Sequence, residues 1–235
     1  MNTTYVLVIG DFHTYRVPDQ QRFTEQFARR LRQSGQRVIL NCYTPSTLCT
    51  VPSLLAQIPL CQYDLIVLQV GHDALQNARK TISQPSNSQQ EGDERLNLTF
   101  PRIKNFLKQL TSGTLARLSQ LVRLGTVRQH LKVILNGLQP YRQNVVILTH
   151  FPHREPLSHW LRKRGCRLFV RAGRRWTMQI VDVHELIECR EEYFLSGDNA
   201  YLNASSHELI GVHLYDIYHQ RTAVAWGHSM PDNSL

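Results

Sequence analysis

Short apolar runs alternate with amphipathic stretches through the first seventy residues. Residues 5–10 (YVLVIG), 37–42 (RVILNC) and 64–70 (DLIVLQV) are apolar at almost every position, and the first and third lead into a glycine, Gly10 and Gly71. Runs of this length without polar alternation predict strands buried on both faces. Between the first two, Phe23, Phe27 and Leu31 recur at helical spacing, with Gly35 placed as a stop signal. Residues 44–59 read as loop and helix, punctuated by Pro45, Pro52 and Pro59. The order strand–helix–strand–helix–strand predicts a parallel sheet with right-handed crossovers.

Residues 76–98 break the rhythm with the polar, turn-rich stretch TISQPSNSQQEGDE. Residues 103–138 then carry a leucine-rich helical stripe, interrupted near Gly113 and Gly125, and 145–149 (VVILT) predict a fourth strand. A helix is expected around 156–164, β-rich segments at 166–171 and 178–183, and a last helix over 205–219 capped by Ser205 or Ser206, with Glu208 in its first turn. The expectation is one α/β domain over 1–222, a three-layer α/β/α sandwich with a doubly wound, flavodoxin-like parallel sheet. A polar loop and helical insertion occupy about 76–135, and 223–235 form a tail. In such sheets sites lie at the carboxyl ends of strands. That selects Asp11, Phe12 and His13, then Thr44, then Gly71, His72 and Asp73, and then His150.

Composition narrows the class. The chain has 235 residues, 42% hydrophobic and 19% charged, which excludes collagen, coiled coil and wholesale disorder. No run approaches the ~18–20 apolar residues of a membrane span. The start, MNTTYVLVIGDFH, lacks a basic n-region and reads as a strand, so a cytoplasmic protein is expected. The five cysteines form no C-x-x-C pair, which predicts free buried thiols and no structural zinc.

The net charge of +9 is uneven: residues 76–175 carry +15, whereas residues 176–235 carry −7. The densest run is Arg162, Lys163, Arg164, Arg167, Arg171, Arg174 and Arg175, interleaved with Trp160, Phe169 and Trp176. Such a run can grip phosphates and offers an aromatic for stacking. The plainer expectation is a solvated helix and strand edge facing the acidic C-terminal block. An anionic partner follows from the first reading, whether nucleic acid, acidic glycan or acidic protein surface.

These strand ends, in this order, resemble the SGNH/GDSL hydrolase superfamily, single-domain α/β esterases and lipases. VLVIGDF stands where that family has a strand running into Gly-Asp-Ser. DLIVLQVGHDAL echoes its strand into Gly-x-Asn-Asp, and SGDNAYLNASSHELIGVHLYDI is similar to its Asp-x-x-His block, Asn and helix start. The last block is the most specific, and the likeness spans roughly residues 5 to 220. The resemblance implies an esterase site, but the residues depart from it. The family's nucleophilic Ser falls on Phe12, its general-base His on Tyr201, and its oxyanion Asn on Asp73, or on His72 with a shifted gap. Asp11, Gly71, Asp198 and Asn203 match. Acyl transfer needs an activated hydroxyl, a base and oxyanion donors. Phe12 has no oxygen to attack with, and a phenol, with a reference pKa near ~10, is a poor base at neutral pH.

Asp11 and His13 also resemble the Asp-x-His opening of calcineurin-like metallophosphoesterases, and Leu148-Thr149-His150-Phe151-Pro152 is similar to a later segment of theirs. That resemblance implies a divalent metal held by Asp11 and His13, with a metal-bound hydroxide replacing the serine. Its Gly-Asn-His block is missing. The expected function is therefore a non-hydrolytic binding or accessory protein on a hydrolase fold, without cofactor. The alternative is an active hydrolase, either a divergent esterase or a metal-dependent phosphoesterase using Asp11 and His13.

Overall fold

The computed structural model describes residues 3–10, 18–45, 48–69 and 127–227. Five parallel strands form one sheet: β1 (Thr3–Ile9), β2 (Arg37–Tyr43), β3 (Leu65–Gln69), β4 (Val145–Leu148) and β5 (Gln179–Val181). Their spatial order is β2-β1-β3-β4-β5, the flavodoxin-like order, in which the switch point lies between β1 and β3. Val6 pairs with Leu40 on one side and Leu65 on the other, which fixes the register at the centre of the sheet.

Alternation along each strand divides the core into two layers. Val6, Val8, Leu65, Val67, Val146 and Leu148 face α1 (Phe23–Gln33) and the last helix. Leu7, Ile9, Ile66, Leu68, Val145 and Ile147 face α2 (Val51–Gln57), α3 (127–138) and α4 (Pro156–Arg175). The short α5 (Val183–Leu186) and the long α6 (Ala204–Gly227) complete the chain. This is the expected three-layer, doubly wound sandwich, with a helical layer on each face.

Helix α1 is the predicted one. Phe23, Phe27 and Leu31 are all buried, and the helix ends where Gly35 takes a positive φ of 84°. There the Gly35 and Gln36 amides donate to the carbonyls of Arg32 and Leu31, at 3.0 and 3.1 Å, a glycine-closed helix end.

Three expectations fail in instructive ways. Residues 166–171 are not a strand but the middle of α4, a single helix of 20 residues. Arg162, Cys166, Phe169 and Gly173 recur at helical spacing and are buried. The last helix is capped by Asn203, whose Oδ1 accepts from the Ser206 amide at 3.0 Å, and not by Ser205 or Ser206. It also runs to Gly227, past the residue-219 end that the pattern suggests. Finally, the five cysteines are free, but only Cys166 is buried.

Two helices approach their neighbours so closely that a methyl group has no room. A Cβ at Gly211 on α6 would lie 2.7 Å from Gln26 Cβ and 2.9 Å from the Phe23 carbonyl oxygen on α1. By contrast, Gly137 on α3 has open space within 4 Å. Gly211→Ala should therefore lower unfolding stability by about 1–3 kcal/mol through forced separation of α1 and α6. Gly137→Ala should raise it by about 0.4–1 kcal/mol by restricting the unfolded chain. Urea midpoints of the two variants moving in opposite directions would bear this out; equal losses would not.

Candidate functional site

The carboxyl ends of the strands carry the polar groups, because there the chain leaves the two apolar layers. At the switch point, the Gly10 amide donates to the Tyr43 carbonyl at 2.9 Å, carrying the β1–β2 ladder one residue past β1. A Cβ on Gly10 would lie 3.1 Å from Gln69 Oε1 at the end of β3. Gln69 is 3% exposed, and its Oε1 has no hydrogen-bond partner among the described residues. A buried carboxamide oxygen left so costs about 1–3 kcal/mol. The signal for Gln69 in the sequence is a lone polar residue inside the apolar run DLIVLQV. Asp11, Phe12, His13, Gly71, His72 and Asp73 lie outside the described residues. Thr44 follows β2 and is half-buried.

The ends of β4 and β5 are locked together by a small polar knot. Thr149 Oγ1 donates to Asp182 Oδ1 at 3.1 Å and accepts from the Val183 amide at 2.9 Å. Asp182 Oδ1 also accepts from the His184 amide, capping α5. His150, a predicted pocket residue, is fully buried. Its ring meets Phe169 of α4 edge-on, with centroids 4.9 Å apart, so it packs within the α4 layer. Arg162 is buried too: its guanidinium donates to the carbonyls of Phe151 and Pro152 at 3.0 and 3.2 Å. It braces the loop after β4 and is no part of an exposed anion-binding face, which corrects that expectation.

The final block folds as one tight turn. The Asp198 amide donates to the Leu195 carbonyl and the Leu195 amide to the Tyr201 carbonyl, both at 2.9 Å, around Gly197 with φ 73°. Asp198 Oδ1 accepts from the amides of Ala200 and Tyr201 at 2.7 and 3.2 Å. Tyr201 thus reaches the Asp198 carboxylate through its backbone amide. Asn203 supplies the cap of α6, and its Nδ2 donates to the Glu192 carbonyl. The Arg154 amide donates to the Asn199 carbonyl at 2.8 Å, seating this turn against the loop after β4. Asp198, Tyr201 and Asn203 are therefore brought together at the carboxyl edge of the sheet.

Histidines near this edge are poor bases. His207, in the first turn of α6, is fully buried. It stacks on Phe23 at 6.1 Å and meets Phe151 edge-on at 5.9 Å. Neither of its ring nitrogens has a hydrogen-bond partner among the described residues. Burial above all, with the Arg22 charge adding, lowers its pKa to about 4. Burial likewise lowers His184 to about 4. Both are neutral near pH 7 and bind protons weakly, whereas a useful general base has a pKa near the working pH.

His159 is half-buried, and its Nδ1 lies 3.0 Å from the Cys189 thiol. Burial raises the Cys189 pKa despite the neighbouring His153 carbonyl bond and the Arg162 charge, so the thiol stays protonated. Among the described residues no group of three or more His, Cys, Asp or Glu could hold a metal ion. Asp11 and His13, the alternative metal pair, are outside that set. No helix among the described residues is long and apolar enough to cross a membrane.

No protein-family model and no curated protein matches the chain. Solved structures do match, along nearly their full lengths. One is a member of the lipolytic G-D-S-L family from Veillonella parvula DSM 2008, with a TM-score of 0.58 at 9% identity, covering 92% of this chain and 99% of that one. Another is the esterase EstA from Pseudoalteromonas, inhibited by monoethylphosphonate, at 0.57 and 10%, covering 94% and 99%. A third is Est24, a carbohydrate acetylesterase from Sinorhizobium meliloti, at 0.53 and 13%, covering 94% and 99%. The chain has the fold of the GDSL/SGNH hydrolases.

The buried His207 makes stability pH-dependent with a definite sign. Its pKa is about 4 folded against an ordinary 6.5, so between these values the unfolded chain binds the proton and the folded chain does not. Stability is full above pH 6.5 and falls as pH drops towards 4, by up to about 3 kcal/mol from this residue. His207→Phe, which keeps the aromatic packing, should leave stability at pH 7 equal or higher and flatten the loss between pH 6.5 and 4. Urea unfolding across that range reads it; an unchanged slope in the variant would assign the loss elsewhere.

Proposed function

We propose that this chain is a non-hydrolytic binding or accessory protein built on the GDSL/SGNH hydrolase fold, with an anionic partner. The observation that carries the reading is residue 201. The turn from Asp198 to Asn203 is formed and seated beside the loop after β4, yet tyrosine stands where the family's base histidine is matched. The carboxylate that would orient such a histidine has one oxygen accepting two backbone amides. Phe12 at the matched serine position deepens the reading, since a phenyl ring has no lone pair with which to attack an acyl carbon.

Three of the described histidines are unsuited as a replacement base. His150 is enclosed against Phe169, and His184 and His207 sit at about 4. Loss of a complete triad removes on the order of a million-fold of acceleration in another serine hydrolase, and the matched oxyanion position here holds Asp73 or His72 instead of Asn, so little turnover should remain. The charge of +15 over residues 76–175 supports an anionic partner.

The structural neighbour EstA is inhibited by monoethylphosphonate, which suggests a direct chemical test. The purified chain, incubated with an alkyl fluorophosphonate and examined by intact mass, should gain no phosphonyl adduct. It should also hydrolyse short p-nitrophenyl esters no faster than buffer. A single stoichiometric adduct on a serine or threonine, accompanied by ester turnover, would overturn the reading and reinstate a divergent esterase.

A further inference from the structure

We propose that the outer face of α4 docks a single-stranded nucleic acid, with Trp160 as the base-stacking end of the site. This names the partner of the reading above and rests on it in that the chain acts by binding. The 20-residue helix has two faces of opposite character. Arg162, Cys166, Phe169 and Gly173 are buried against the sheet or the loop after β4. Lys163, Arg164, Arg167, Arg171, Arg174 and Arg175 are all exposed. At 3.6 residues per turn these six cations and Trp160 fall within roughly 120° of arc, along about 22 Å of helix.

None of the six has an acidic partner among the described residues. Of the acids expected to face them, Glu188 and Glu192 pair with Arg190, Glu191 pairs with Arg154, and Asp182 accepts from Thr149. Among the described residues no salt bridge therefore ties this solvated stripe to the acidic C-terminal block. Six like charges on one face repel one another, and an extended polyanion relieves that repulsion.

Three features favour a nucleic-acid strand over an acidic glycan or acidic protein. Five of the six cations are arginines, whose planar forks match phosphate oxygens bidentately. The charges stand on four successive levels of the helix, Lys163 with Arg164, then Arg167, then Arg171, then Arg174 with Arg175, roughly 5.4 Å apart, in a single convex row that suits one backbone. Trp160 stands at the start of the row, 49% exposed, with the Arg164 guanidinium 5.4 Å from its ring centre. Exposed tryptophan beside arginine is a stacking platform for an unpaired base.

The test uses the full chain and a fluorescein-labelled oligothymidylate, read by anisotropy at several salt concentrations. Binding should weaken with salt with a logarithmic slope of about −4 for six contacts, roughly three-hundred-fold between 50 and 200 mM. Arg167→Ala with Arg171→Ala should make the slope shallower by about 1.4. Trp160→Ala should weaken binding about 5- to 150-fold, from about 1–3 kcal/mol of stacking, with the slope unchanged. All three side chains are exposed, so thermal melts should coincide with the parent. Absence of binding at low salt, or binding indifferent to these variants, would overturn the site. Heparin or polyglutamate binding as tightly, without regard to Trp160, would also overturn it in favour of another polyanion. Ester turnover with intact oligonucleotide binding would instead sink only the non-hydrolytic reading.

Discussion

Burial of β1, β3 and β4 on both faces is the constraint from which the remaining architecture follows. Val6 to Ile9, Leu65 to Leu68 and Val145 to Leu148 are all at most 5% exposed. A parallel sheet so enclosed requires a helical layer on each side and leaves no polar side chain a place along the strands. Polar groups are forced to the strand ends. Gln69, Thr149 and Asp182 stand there because the chain first leaves the apolar layers at those positions, and the turn holding Asp198 is hydrogen-bonded to the same edge.

What the sequence discloses follows from how local each determinant is. The strands and α1 are legible because their signals are contained within a few residues: an unbroken apolar run, a helical stripe of Phe23, Phe27 and Leu31, a glycine with positive φ. The middle of α4 is not legible in the same way. Arg162 and Cys166 look like surface and strand residues until the partner surfaces are known, and β-branched or aromatic neighbours bias a short window towards strand. Only the tertiary approach to Ile180 and Ile147 explains why Gly173 belongs there. The cap of α6 was misplaced for a similar reason, since Ser205, Ser206 and Asn203 are all good caps in isolation. The final block's match to a family pattern located Asp198, Tyr201 and Asn203 together, but not that backbone amides would hold the carboxylate.

The same arginine-rich stretch serves two unrelated ends, separated only by helical phase. Arg162 points inward and satisfies two carbonyls of the loop after β4, so it acts as a structural brace. Its successors point outward and stay hydrated. A charge count along the chain cannot make that distinction, because it averages over the very period that divides them. Buried imidazoles follow the same rule: His207 and His184 contribute to neither net charge nor proton transfer near neutrality, although the residue type suggests both.

The contact of Gly211 with Phe23 and Gln26 joins segments at opposite ends of the chain. The apolar layer beside α1 includes Ile210, Leu214, Ile217 and Tyr218 from α6. On a ribosome, β1 and α1 emerge long before their covering exists. At about 5–20 residues per second, the wait for α6 is on the order of ten seconds or more. Throughout that interval Val6, Val8, Phe27 and Leu31 have no permanent cover. The apolar layer beside α1 is thus closed only once α6 is delivered.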